Sequence, residues 1–261
     1  MPVVQFGLRI TAVEALKGAT LVGDNVRDSD FAAIDVAGDG AMRTDQDRPF
    51  IVVYTDEAEI NEADTRDLRQ NGTVDFVCEF GAAAPMAELD LDTGESVIAG
   101  VDIPATDAAL ELALDLVDRQ IGNALTDPES AWAALWQRLS DRVEKIERKR
   151  AVTADNGVRL AARQLRIKLA CKPDPVFGQP LAEGAIWSSL RAAMAASRPE
   201  LVPTYDAMLG IEQAEVSIDM LRRAFGQTTG QARRLGYVPQ WVDHPEATIE
   251  TVEVERDGNS T

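Results

Sequence analysis

The sequence predicts an α/β (α+β) fold: a mixed, mostly antiparallel sheet flanked by helices, with a β-hairpin insertion and a largely helical C-terminal extension. Three observations predict it. Phe50-Ile51-Val52-Val53-Tyr54-Thr55 is an unbroken run of β-branched and aromatic residues, which reads as a strand buried on both faces. Residues 73–80 alternate instead, with Val74, Phe76, Cys78 and Phe80 pointing one way and Asp75 and Glu79 the other. Elsewhere helical spacing recurs, most clearly at Leu110, Leu114, Val117, Ile121 and Leu125. An acidic loop over 56–71 and an Asn71-Gly72 turn join the two strands. They are therefore expected as antiparallel neighbours at the centre of the sheet.

Taken in order, residues 4–17 place Phe6, Ile10, Val13 and Leu16 on one helical face, with Arg9, Glu14 and Lys17 opposite and Gly18 as the stop. Gly23-Asp24-Asn25 turns into a short strand around Val26. Residues 30–47, with Gly38, Gly40 and scattered aspartates, read as an exposed loop. After the central strands, Ala87, Leu89 and Leu91 alternate with acids, Thr93-Gly94-Glu95 turns, and Val97, Ala99 and Val101 resume. This predicts the hairpin. Thr106 caps the next helix, with Asp107 in its first turn. Asp127-Pro128 opens another, and Trp132, Leu135, Trp136, Leu139, Val143 and Ile146 predict helix over 128–150.

Asp155-Asn156-Gly157 leads into a strand over 158–171. Val158, Leu160 and Ala162 share one face; Leu165, Ile167, Leu169 and Cys171 share the other. Either a bulge near Arg163-Gln164 restores one face or the strand serves two layers. Lys172-Pro173-Asp174-Pro175 reads as a linker, so two domains are expected, 1–172 and 173–261. Beyond it Ile186, Leu190 and Met194 fall in helical phase, and Pro199 and Pro203 interrupt. Helical runs near 213–225 and 230–235, an edge strand over 247–255 and a disordered end at 257–261 complete the expectation.

Hydrophobic residues make up 45% of the 261 and charged residues 27%, enough for a sizeable core. The net charge of −18 argues against bulk binding to nucleic acid or to a membrane surface. Cys78 and Cys171 both sit in strand-like runs and are expected as buried, reduced thiols, with a disulfide as the alternative; reduced thiols imply cytosolic residence. The opening Met1-Pro2-Val3-Val4 lacks the basic start and apolar run of a signal peptide. No apolar stretch reaches membrane-spanning length.

The catalytic inventory is short. His244 is the single histidine, and no Cys-x-x-Cys, Gly-x-Ser-x-Gly, Walker or Gly-x-Gly-x-x-Gly motif occurs. No catalytic, cofactor-binding or metal-binding residue is assigned, no cofactor is expected, and the chain is read as a non-enzyme. The acidic run Asp56, Glu57, Glu59, Glu62, Asp64 and Asp67 is a solvated loop or, in an enzyme reading, a Mg²⁺ or acid–base site. Charge is unevenly spread. Residues 138–172 hold eleven bases and four acids, a local +7 that leaves −25 for the rest. Three readings are open: basic-to-acidic packing between identical subunits, a phosphate-contacting patch, or pairing within the subunit. The subunit-contact reading selects Arg138, Arg142, Lys145, Arg148, Lys149 and Arg150 on the basic side, and Asp56, Glu57, Glu59 and Glu62 on the acidic side.

Several stretches carry a resemblance. They are Leu8-Arg9-Ile10-Thr11-Ala12-Val13-Glu14-Ala15-Leu16, Val26-Arg27-Asp28-Ser29, the two central strands from Arg48-Pro49 and from Thr73, the helix after Thr106, and the strand over 158–170. In order and texture, over about 1–172, the chain resembles the tail terminator (minor tail) proteins of long-tailed phages, of the lambda type. The resemblance implies an α/β subunit of a hexameric ring in the virion neck, assembled in the host cytoplasm. Its implied role is to stop tail-tube growth and to present a docking surface to the head-side connector. Its implied partners are other copies of itself, the tail tube protein and that connector or stopper, with genomic DNA passing through the lumen unbound and no membrane. Another head–tail joining or tail-completion protein is the neighbouring reading. The sequence departs from the resemblance in its length, since 128–150 and everything after Pro173 look like additions.

Overall fold

A computed structural model describes residues 2–30, 35–36, 42–43, 48–60, 70–83, 87–89, 96–98, 106–155 and 158–211. The fold is α+β, built on a mixed five-stranded sheet with helices. Its strands are β1 (Val26–Asp28), β4 (Phe50–Glu59), β5 (Thr73–Ala83), β8 (Ser140–Asp155) and β9 (Val158–Cys171). They lie in the order β1-β4-β5-β9-β8. β1 runs parallel to β4, and the other three ladders are antiparallel. The two strands expected at the centre are thus neighbours, with β5 in the middle. Two short pairs stand apart: β2 (Asp35–Val36) with β3 (Met42–Arg43), and β6 (Ala87–Leu89) with β7 (Ser96–Ile98). The second is the expected hairpin. The first places strand residues inside the stretch read as a plain loop.

Alternation along β5 sets the two faces of the sheet. Val74, Phe76, Cys78 and Phe80 join the core, as do Leu165, Ile167 and Leu169 of β9. Helices cover this side. α1 (Pro2–Leu16) lies on β1, β4 and β5, and α2 (Asp107–Leu125) on β5 and β9. α3 (Ala131–Arg138) packs on α1. Thr106 caps α2 by accepting from the Ala109 N–H at 3.3 Å, and Ser130 caps α3 by accepting from Ala133 N–H. Phe76 meets Trp136 edge-on at 5.3 Å. Each such fully buried side chain contributes about 1.5–3 kcal/mol. Among the described residues no helix is long and apolar enough to cross a membrane.

Four expectations change. α1 is not one-sided: Val3, Val4, Leu8, Thr11 and Ala12, off the predicted stripe, are buried too, because α3 and α5 close over it. The helix expected over 128–150 ends at Arg138, and Val143 and Ile146 belong to strand β8. β9 pairs with β5 without a register shift from Ala170 to Leu160. No bulge restores its face, so the strand serves both sides of the sheet. Finally, the break expected after Lys172 falls elsewhere. α4 (Ile186–Ser197), a 3-10 turn (Pro199–Leu201) and α5 (Val202–Leu209) supply Leu190, Met194, Tyr205 and Leu209 to the same core. The compact unit runs Met1–Glu212, and a second comprises Gln213–Thr261. The helices near 213–225 and 230–235, the strand over 247–255, the end at 257–261 and His244 lie outside the described residues.

Candidate functional site

The face of the sheet turned away from the helices carries a polar ladder. The β4–β5–β9 register sets Val52, Glu79 and Gln164 in one row and Tyr54, Val77 and Arg166 in the next. The Tyr54 hydroxyl donates to Glu79 at 2.6 Å, and Gln164 Nε2 donates to Glu79 at 2.7 Å and to the Tyr54 oxygen at 3.1 Å. Arg166 bridges Asp75 at 2.9 Å and Asp56 at 2.5 Å, and Lys168 reaches Glu59 at 3.2 Å. Burial and the Glu79 carboxylate push the Tyr54 hydroxyl far above its usual range. Burial opposes the Arg166 charge, yet Asp75 and Asp56 outweigh it and raise its pKa. Acids on β4 and β5 are thereby matched by bases on β9. The ladder ties three strands together and engages Asp56, Glu59 and Asp75 in ion pairs.

Of the acidic run, Asp56 and Glu59 are therefore engaged, and Glu57 is exposed with no ion pair among the described residues. Glu62, Asp64 and Asp67 lie outside them. Among the described residues no three His, Cys, Asp or Glu gather to hold a metal. Both thiols are free and buried. Burial raises the pKa of each, that of Cys171 to about 12.

The basic segment resolves into two groups. Arg148 reaches Asp118 at 2.7 Å, Arg150 reaches Glu111 at 2.5 Å, and Arg163 reaches Asp115 at 2.5 Å and Glu111 at 3.1 Å. These bases strap α2 to β8 and β9. Burial raises the Glu111 pKa, but Arg150 and Arg163 lower it further, and the net shift is downward. Arg148 and Arg150, expected at a subunit contact, thus pair within the subunit. The other group stays outward. Among the described residues Arg142 pairs only with Glu144, at 2.7 Å, and Lys145 only with Glu147, at 3.0 Å, both neighbours on the same strand. Lys149 makes no ion pair among the described residues, and Arg138 donates to the Gly184 carbonyl at 3.0 Å.

β8 is the terminal strand of the sheet. Sixteen residues long, it exposes Val143 by 50% and Ile146 by 51%. Both lie on the helix side, where α2 does not reach. The spacing that misassigned them as helix also hid them as candidates. No protein-family model, no curated protein and no solved structure matches this chain.

Proposed function

We propose that this chain is a structural subunit of a closed ring, acting as a tail terminator that ends the growth of a phage tail tube and presents a docking surface to the head-side connector. One observation carries the reading. β8 is a long strand with a free outer edge among the described residues, with Val143 and Ile146 half in water. Such an edge is a template for a neighbouring chain, and the order of elements over 1–172 supports the resemblance. The strong negative charge suits a ring through which DNA passes without being held. The tube protein and the connector are the remaining partners in this reading, and the virion neck is the location.

Electron microscopy of particles assembled without the gene tests it. Over-long tails beside separate full heads are the expected outcome. Tails of normal length that fail to join heads would assign the chain to head–tail joining instead. Intact particles of wild-type shape would overturn the structural reading.

A further inference from the structure

We infer that Asn71 is a deamidation site gated by the fold: the unfolded chain loses this amide, the native chain keeps it, and a chain that has lost it cannot rebuild the contact it makes, so Asn71 marks chains that have stayed unfolded. The site is independent of the ring reading. Its chemistry is set by the Asn71-Gly72 pair. Glycine has no Cβ to crowd the approach of its backbone nitrogen to the asparagine side chain, and its backbone is free to turn. The deprotonated Gly72 nitrogen attacks Asn71 Cγ. An N–C bond forms, the Cγ–Nδ2 bond breaks, and ammonia leaves with a proton from water. The five-membered imide that remains takes up one water. It opens to aspartate or to iso-aspartate, in which the main chain runs through Cβ. Water is the only other reactant.

The fold opposes each of these steps at the atom concerned. Asn71 is 1% exposed, which keeps out the water and hydroxide that the reaction consumes. Nδ2, the leaving group, donates to the Lys172 carbonyl at 2.6 Å and to Asp174 Oδ1 at 2.9 Å. Both bonds hold the side chain against the rotation that ring closure needs. Oδ1 is where negative charge builds as the nitrogen attacks. It is buried and accepts from no protein donor among the described residues, and an oxyanion without donors in a buried site is costly. Gly72 is held as well, because its carbonyl accepts from the Cys171 N–H at 2.8 Å.

The fold also requires the pair that endangers it. Gly72 has φ +55°, and a Cβ there falls 2.2 Å from the Glu59 carbonyl oxygen. Asn71 supplies two hydrogens to two acceptors, and Asp174 Oδ1 accepts in addition from the Val4 N–H of α1 at 3.1 Å. The amide thus ties the entry to β5 to residues 172–174 and, through Asp174, to α1. Aspartate at position 71 puts a carboxylate oxygen where Nδ2 stood, facing the Asp174 carboxylate and the Lys172 carbonyl. Three acceptors then meet with no hydrogen among them, and two belong to carboxylates. The Lys172 ammonium is engaged by Asp141 at 2.5 Å. Iso-aspartate instead lengthens the main chain immediately before Thr73, the first residue of β5. Either product removes the tie.

The main test uses the full-length wild type. Samples are held in mildly alkaline buffer, native and in urea, and peptide mass spectrometry follows the exchange of amide for acid at position 71. Asn156-Gly157, the other Asn-Gly pair of the chain, is the clock in urea. There the two sites are expected to convert at similar rates. In the native protein Asn71 is expected to convert slower by about tenfold or more, since reaction waits on local opening. Partly converted samples are then diluted out of urea and separated by gel filtration. The folded fraction is expected to keep the amide at position 71, and the misfolded remainder to carry the acid. Asn71→Asp is expected to melt below Asn71→Ala, because alanine removes the bonds without adding a charge; should neither variant fold, the separation decides. Asn71 that stays intact in urea while Asn156 converts would overturn the proposal, as would equal rates at Asn71 in the native protein and in urea. A folded fraction with as much acid at position 71 as the remainder, or Asn71→Asp as stable as the wild type, would overturn it too.

Discussion

Replacing Gly72 by alanine is expected to destabilise the fold by about 2–4 kcal/mol, and the figure can be worked from two glycines. Gly72 has φ +55° and Gly184 has φ +73°. Both hold the left-handed region, where an L side chain costs roughly 1–2 kcal/mol. They differ in their surroundings. A Cβ on Gly184 meets nothing within 4 Å, whereas a Cβ on Gly72 falls 2.2 Å from the Glu59 carbonyl oxygen and 3.1 Å from Ile60 Cα. Those are backbone atoms and cannot swing aside. The end of β4 must move, which breaks the Glu59–Thr73 pairing of the ladder and loosens the Thr73 hydroxyl from the Glu59 carbonyl, 3.4 Å away. One or two hydrogen bonds add about 1–2 kcal/mol. Gly184→Ala carries only the conformational cost and serves as the control. Urea unfolding followed by circular dichroism measures both, with the difference read from the midpoints at constant slope. Two variants that agree within about 0.5 kcal/mol would refute the steric argument, because backbone conformation alone would then explain both.

Two further outcomes follow from the titrating groups. Burial raises the pKa of Glu14, but Lys17 at 2.8 Å and Arg198 at 2.7 Å outweigh it and lower it from 4.5. A depressed carboxylate contributes stability above its unfolded pKa and loses it as pH falls through the folded value. Melting temperature is therefore expected to drop below about pH 4.5, and Glu14→Gln to flatten that drop; an unchanged acid limb in the variant would count against the triad. Cys78 and Cys171, raised by burial, are expected to resist a thiol reagent at pH 8 in the native protein and to react in denaturant. Rapid native labelling of either would contradict the core described above.

The parts of the fold that are legible in the sequence are those whose periodicity has one interpretation. Phe50 to Val53 could be only a doubly buried strand, and residues 73–80 only an alternating one. β8 was not legible because Leu139, Val143 and Ile146 fall at helical spacing although Leu139 ends α3. An exposed edge strand has little apolar content with which to announce a period of two. The usable signal was the Asp155-Asn156-Gly157 turn, which needs a strand before it as well as after it. Lys172-Pro173-Asp174-Pro175 misled for a different reason. Asp174 accepts from the Val4 N–H at 3.1 Å and from Asn71 Nδ2 at 2.9 Å, and contacts across more than a hundred residues leave no mark on local composition. The acidic and basic candidates were visible as residue types. Which bases strap α2 and which face outward depends on the strand register.

The burial of α1 on more than one side has a consequence for biosynthesis. Phe6 stacks on Tyr205 with ring centroids 6.0 Å apart, and Leu8, Ile10 and Leu16 are as buried as any residue of the sheet. A helix whose apolar residues spread well beyond one stripe cannot shield them itself, and its last cover is made some two hundred residues after it. At roughly 5–20 residues per second, a ribosome exposes this segment for roughly ten to forty seconds before α5 emerges. During that interval a binder of unfolded chains competes for the helix. A nascent chain that stalls short of Leu209 leaves the apolar residues of α1 without this last cover.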